Sequence, residues 1–173
     1  MNKMERREQL LELIRASHDP ISASTLAISL KVSRQIIVGD IALLRASGVN
    51  ISATPTGYVL DREKAPMNFG YIGTIACRHF EKDLADELYT IVDFGGTVID
   101  VTIEHNTYGQ ISGILDISSR HDADKFLEKL NENQDKPLSD LTGGIHLHRI
   151  GCRNEATFEL LFKSLVDKGI ALT

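Results

Sequence analysis

Ser24-Thr25-Leu26-Ala27-Ile28-Ser29-Leu30-Lys31-Val32-Ser33-Arg34-Gln35 holds one short helix, a turn and the start of a second helix. Leu26, Ala27 and Leu30 repeat at helical spacing, with Ser22 or Ser24 placed to cap the helix that carries them. Lys31-Val32 is the turn. Ser33 then caps a helix running to about Ala46, in which Ile37, Ile41 and Leu44 face inward and Ser47-Gly48 marks the end. Upstream, Met4 to Ser17 puts Leu10, Leu11, Leu13 and Ile14 on one stripe, closed by Asp19-Pro20. Downstream, Asn50 to Ala53 and Tyr58 to Leu60 read as two short strands around a Pro55-Thr56-Gly57 tip.

Three helices and a hairpin make a helix-turn-helix with a wing. On the first turn of the third helix, Ser33, Arg34 and Gln35 are donors of the kind that reach phosphate oxygens and base edges when a helix N-terminus enters the major groove. The competing reading is a small three-helix bundle used for protein contacts. The formal net charge of −5 at first argues against a nucleic-acid partner, but its distribution does not. Up to Lys64 there are 9 Lys and Arg against 7 Asp and Glu, a net of +2, and the remainder carries 10 against 17, a net of −7.

The segment from Asp61 to Asn68 is charged, contains Pro66 and lacks periodicity, so it reads as a boundary between a domain at 1–62 and another at 69–173. Beyond it the predicted elements are a strand near Tyr71 to Cys77, a helix near Glu81 to Val92 and a strand from Thr97 to Glu104. A turn at Asn106 to Gly109 leads to a return strand from Gln110 to Ser118, then a helix near Asp122 to Leu130. After a polar loop from Asn131 to Gly144 come a strand at Ile145-His146-Leu147-His148-Arg149 and a last helix from about Glu155 to Lys168. The order βαββαβα predicts an α+β open-faced sandwich, with helices on one face of a mostly antiparallel sheet and an open face able to hold a ligand. Phe158, Leu161, Phe162 and Leu165 form a stripe on the last helix that reads as core.

In a strand, His146 and His148 project from the same face, as a metal-chelating pair would. A solvent-facing strand alternates polar and apolar residues anyway, so the pair alone leaves both readings open. Cys77 and Cys152 are isolated and read as free thiols. The composition, 42% hydrophobic and 25% charged, is that of a globular chain. No apolar run is long enough to cross a bilayer, and the N-terminus lacks a signal peptide's apolar stretch, so a cytoplasmic location is expected.

The run Ser24 to Gln35, followed by Asp40-Ile41, Leu44-Arg45 and Gly48, resembles the winged helix-turn-helix of biotin-repressor-type regulators. Joined to a small domain with spaced histidines, the whole chain resembles the bacterial niacin-responsive transcriptional repressors, the NiaR (YrxA) family, whose regulatory part is called the 3H domain. The resemblance implies an HPr-like fold for that part and a divalent metal, nickel or zinc, held by His79, Glu87, His146 and His148. It also implies nicotinic acid as corepressor, a homodimer on a palindromic operator, and control of niacin uptake and NAD synthesis genes. Without it, Glu87 reads as a solvated helix residue, and His105 and His121 as surface residues. Nicotinate is expected to fill an open coordination position, with Arg78, Arg149 or Arg153 neutralising its charge.

Two other functions fit part of this pattern. A metal-dependent hydrolase would use the ion to activate water, but the chain has no His-Glu-x-x-His helix, Gly-x-Ser-x-Gly turn or phosphate-cradling loop. A metal-sensing repressor would use the ion itself as signal.

Overall fold

The computed structural model describes residues 2–60 and 69–173, so the boundary segment read at Asp61 to Asn68 lies outside the described residues. The chain forms two compact units, described separately below.

The first unit contains α1 (Lys3–Ala16), α2 (Ala23–Leu30), α3 (Arg34–Ala46), β1 (Ile51–Thr54) and β2 (Gly57–Leu60). Capping sets the helix starts. Asn2 and Glu5 form a reciprocal capping box on α1, Ser22 accepts from the Thr25 amide, and Ser33 accepts from the Ile36 amide. Lys31 closes α2 in the left-handed region at φ 54°, which makes the sharp turn into α3. Leu10, Ile14, Leu26, Ile37, Ile41 and Leu44 form the core beneath the three helices, and Ile51 joins it from the hairpin. Arg6 clamps α1 to α3 through paired bonds to the buried Asp40, 2.6 and 3.1 Å long.

The wing has a contact that the sequence reading lacked. Ile21 pairs with Tyr58 through two backbone hydrogen bonds, 2.9 and 2.8 Å, tying the segment before α2 to β2. Gly57 makes this possible: a Cβ there would lie 2.3 Å from the Ile21 backbone, and its φ is 149°. Gly57→Ala is expected to destabilise the first unit by about 2 kcal/mol or more, because the clash is with backbone. A denaturant melt of the full chain checks this.

The second unit runs β3 (Tyr71–Arg78), α4 (Glu81–Asp93), β4 (Thr97–His105), β5 (Gly109–Ile117), α5 (Arg120–Asn133), β6 (Ile145–Cys152) and α6 (Glu155–Asp167). This is the βαββαβα order in an α+β fold. The sheet order is β3-β6-β4-β5 and every pairing is antiparallel. Ile75, Cys77, Val98, Leu115, Ile117, Ile150 and Cys152 meet Leu84, Leu88, Ile91, Phe158, Leu161 and Leu165 in one core between sheet and helices. The α6 stripe is core, as its spacing predicts. Helix α5 is less embedded: Ala123 is buried, while Phe126, Leu127 and Leu130 are half-buried.

Three departures from the sequence reading matter for the site. The polar loop after α5 contains a short 3-10 turn, Leu138–Thr142, ending at Gly143-Gly144. A β-bulge between Val98 and Asp100 breaks the alternation of β4, so Val98, Ile99 and Asp100 are buried in succession. The C-terminal residues pair with the outer edge of β3 through Cys77 and Ala171, with Arg78 N–H donating to the Ile170 carbonyl and Leu172 N–H to the Ala76 carbonyl. An edge strand that would stand unpaired is thereby covered.

Candidate metal centre and DNA-facing helix

His146 and His148 share a face of β6 with Ile150 and Cys152, and that face lies under the helices. Ile145 and Leu147 point the other way and are 47% and 37% exposed. The usual alternation is thus inverted, with imidazoles inside and aliphatic side chains outside. The chelating pair lies on the covered face of the sheet, not on the open face where a ligand was expected.

Glu87 reaches the same place from α4. It is one turn from Leu84 and Ile91 on the inward stripe of that helix and is fully buried. The reading of Glu87 as a solvated residue is therefore corrected. His79 precedes α4 and is also buried. The Nε2 atoms of His79, His146 and His148 lie 2.7, 3.2 and 3.5 Å from the Glu87 carboxylate oxygens.

The other ring nitrogens fix the chemistry. His79 Nδ1 lies 3.0 Å from the Phe80 carbonyl, His146 Nδ1 2.9 Å from that of Gly144, and His148 Nδ1 2.7 Å from that of Asp100. A carbonyl only accepts, so each Nδ1 carries a hydrogen and each neutral ring presents a bare lone pair at Nε2. All three lone pairs then face one carboxylate. Only two occupants satisfy such a cluster, protons on the rings or a cation between them. The buried Nε2 of His148 has no hydrogen-bond partner among the described residues, which fits an atom whose lone pair serves a cation. Three imidazoles, oriented by carbonyls, and one carboxylate suit a divalent transition metal.

Electrostatics follow from this packing. Burial works against ionisation of Glu87, but the His148 charge and the imidazole hydrogen bonds overcome it and hold the carboxyl well below its ordinary value. Burial also disfavours charged His79 and His148, yet the Glu87 hydrogen bond and charge raise His79 above the usual imidazole value, and the Glu87 charge, with the Asp100 carbonyl at Nδ1, raises His148. Cys77 lies at the same cluster, its Sγ within 4.8 Å of donor atoms of Glu87 and His146. Burial, reinforced by the Glu87 charge, pushes its thiol far up, so it stays protonated beside the carboxylate.

On the first unit, Ser33, Arg34 and Gln35 all stand exposed at the start of α3. The Ser33 oxygen accepts from the Ile36 amide at 3.3 Å, so Ser33 is the cap rather than the first turn, and its hydroxyl hydrogen remains able to donate. Arg45 is turned aside, its Nε donating to the Ile51 carbonyl at 2.8 Å.

Comparison with known proteins separates the same two parts. An HTH domain model matches residues 6–59 and a 3H domain model matches residues 72–173. The chain is 39% identical over 170 residues to "Probable transcription repressor NiaR" of Thermotoga maritima, covering 98% of this chain and 95% of that one. It is 38% identical over 167 residues to "Transcription repressor NadR" of Bacillus subtilis, covering 96% and 93%. The chain belongs to the NiaR/NadR family of 3H-domain transcription repressors. It is a DNA-binding regulator and not an enzyme. No helix among the described residues is long and apolar enough to cross a membrane.

Within this NiaR/NadR-family chain, the arginines considered for an acidic effector do not line the histidine cluster. Arg149 alternates with His148, so it leaves the opposite face of β6, where its guanidinium grips Asp100. Arg78 is exposed at the end of β3, on the side away from Cys77, and Arg153 is exposed beyond the other end of β6. His121 is exposed and His105 is half-buried, its Nδ1 accepting the Thr107 and Tyr108 amides. The contributors missed from sequence are the Phe80 and Asp100 carbonyls and Gly144, and Cys77, read as a free thiol, stands beside them. The Gly144 carbonyl accepts from both His79 N–H, at 3.3 Å, and His146 Nδ1.

Proposed function

We propose that this repressor acts on genes of niacin uptake and NAD synthesis, as a cytoplasmic homodimer on operator DNA with nicotinic acid as corepressor. A divalent metal, nickel or zinc, is held by His79, Glu87, His146 and His148. The DNA-binding part is residues 1–62 and the regulatory part 69–173. The observation that carries the metal is the convergence of three imidazole Nε2 atoms on one buried carboxylate. Niacin is what the family resemblance implies. When bound, the metal supplies a fixed charge that joins α4 to β6 and to the start of the β3–α4 connection.

The burial of all four donors favours an ion that organises the domain over one offering nicotinate a vacant position, and it lends weight to the second reading, in which the metal alone is the signal. One experiment separates them. Operator binding is measured with nicotinate, nicotinamide and metal varied independently, and nicotinate binding by calorimetry before and after chelation. The proposal expects nicotinate, not nicotinamide, to tighten operator binding of the metal-loaded protein. Tightening by metal with no response to nicotinate would replace it by the metal-sensing reading. An effector shifts DNA affinity only by its differential affinity for the two states.

On the DNA side, Arg34→Ala is expected to weaken operator binding by about tenfold and to lower the salt slope by about one, as loss of a phosphate contact does. Titrations at several salt concentrations check it. A folded variant with unchanged slope would take Arg34 off the backbone.

A further inference from the structure

Gly39 stands in the middle of α3, on its exposed side, with ordinary helical backbone, and a Cβ there would meet nothing within 4 Å. Glycine in an exposed helix interior sacrifices stability relative to alanine. Gly57 and Gly144 have neighbouring backbone against them and φ values alanine avoids, which explain them. Nothing among the described residues explains Gly39.

Its neighbours on the same face supply a reason. Ile36, one turn earlier, is 40% exposed, and Leu43, one turn later, is 53% exposed. A lone exposed isoleucine would be ordinary, but these three residues at i, i+3 and i+7 form a continuous uncharged face. The one acid of α3, Asp40, is turned inward onto Arg6, and Arg45 is held by the Ile51 carbonyl. The helix therefore offers Arg34 and Gln35 at its start, and then an apolar step with a notch beside it.

In a helix-turn-helix protein this helix enters the major groove, its N-terminal residues against base edges. The apolar feature of those edges is the C5 methyl of thymine. The geometry points to Ile36 and Gly39 as a specificity element of the repressor, taking thymine methyl groups in the operator. The Ile36 side chain packs on a methyl, and the missing side chain at residue 39 lets the helix backbone approach the bases.

The test uses the full-length chain, with and without nicotinate and divalent metal, to select duplexes from a random-sequence pool. Each thymine of the tightest duplex is then replaced singly by deoxyuracil, which pairs alike but lacks the methyl. At least one replacement is expected to weaken binding about fourfold, the worth of one methyl group removed from water. The same replacement has no effect on Ile36→Ala. Gly39→Ala is expected to melt at a higher temperature than the parent and yet bind the duplex about tenfold more weakly. A purely structural glycine would not move stability and affinity in opposite directions. Indifference of the parent to every methyl, or parental affinity in Gly39→Ala, overturns the proposal.

Discussion

Glu87→Gln is expected to fold and to lose tight divalent-metal binding, with affinity falling by more than about 100-fold, beyond what loss of a group that merely orients a ligand costs. The reason is that all three Nε2 atoms face this one carboxylate. The amide keeps the shape, and its NH2 can donate to a bare imidazole nitrogen, so the packed cluster survives without charge. Metal content after dialysis and competition titration with nickel or zinc read the loss. One firmly held metal per chain in the variant would remove Glu87 from the site.

The same variant should lose a pH signature. In the metal-free parent, His79 and His148 have folded pKa values raised above 6.5, so their stabilising pairing is complete below that pH and is lost as pH rises through the raised values. Glu87 is depressed, so its contribution is present above 4.5 and is lost as pH falls through its lowered folded value. The metal-free protein is then most stable, as far as this cluster is concerned, between those limits. Metal competes with the ring protons and stabilises more as pH rises. Melting curves against pH, with and without metal, should diverge above pH 6.5 in the parent and coincide in Glu87→Gln.

Which parts were legible follows from what each signal measures. Helix caps at Ser22 and Ser33 and the stripes of α1, α3 and α6 are local, and the structure has them where spacing predicts. The burial of Glu87 was also readable, because it occupies an inward position between Leu84 and Ile91, yet its charge argued for solvent. A carboxylate goes inside only where partners wait, and those partners sit on a strand 59 residues away in the case of His146. The His-x-His spacing gave a shared face but not which face. Polar residues normally mark the outside, and here Ile145 and Leu147 take it. The bulge that brings the Asp100 carbonyl to His148, and the C-terminal pairing on β3, depend on tertiary register that no local pattern carries.

Gly144→Ala should disable the centre without touching a ligand. Gly144 has φ 90°, and a Cβ on it would stand 2.4 Å from the His79 carbonyl oxygen and 3.1 Å from its carbon. Those atoms are backbone and cannot swing aside. Relief requires moving the His79 segment away from β6, breaking the His79 N–H bond to Gly144 and turning the carbonyl that orients His146. The expected cost is about 2–4 kcal/mol, combining a disfavoured backbone region with a clash, and metal affinity should fall by about 10–100-fold. Gly143→Ala is the control. It also has positive φ, at 62°, but its Cβ would meet nothing within 4 Å, so it should cost only about 1 kcal/mol and leave metal affinity near the parent's. Paired melts and metal titrations decide. If the two alanines behave alike, the close approach of Gly144 to His79 does not shape the site. If only Gly144→Ala loses the metal, the geometry of the three imidazoles is set by a backbone contact that no list of ligands contains.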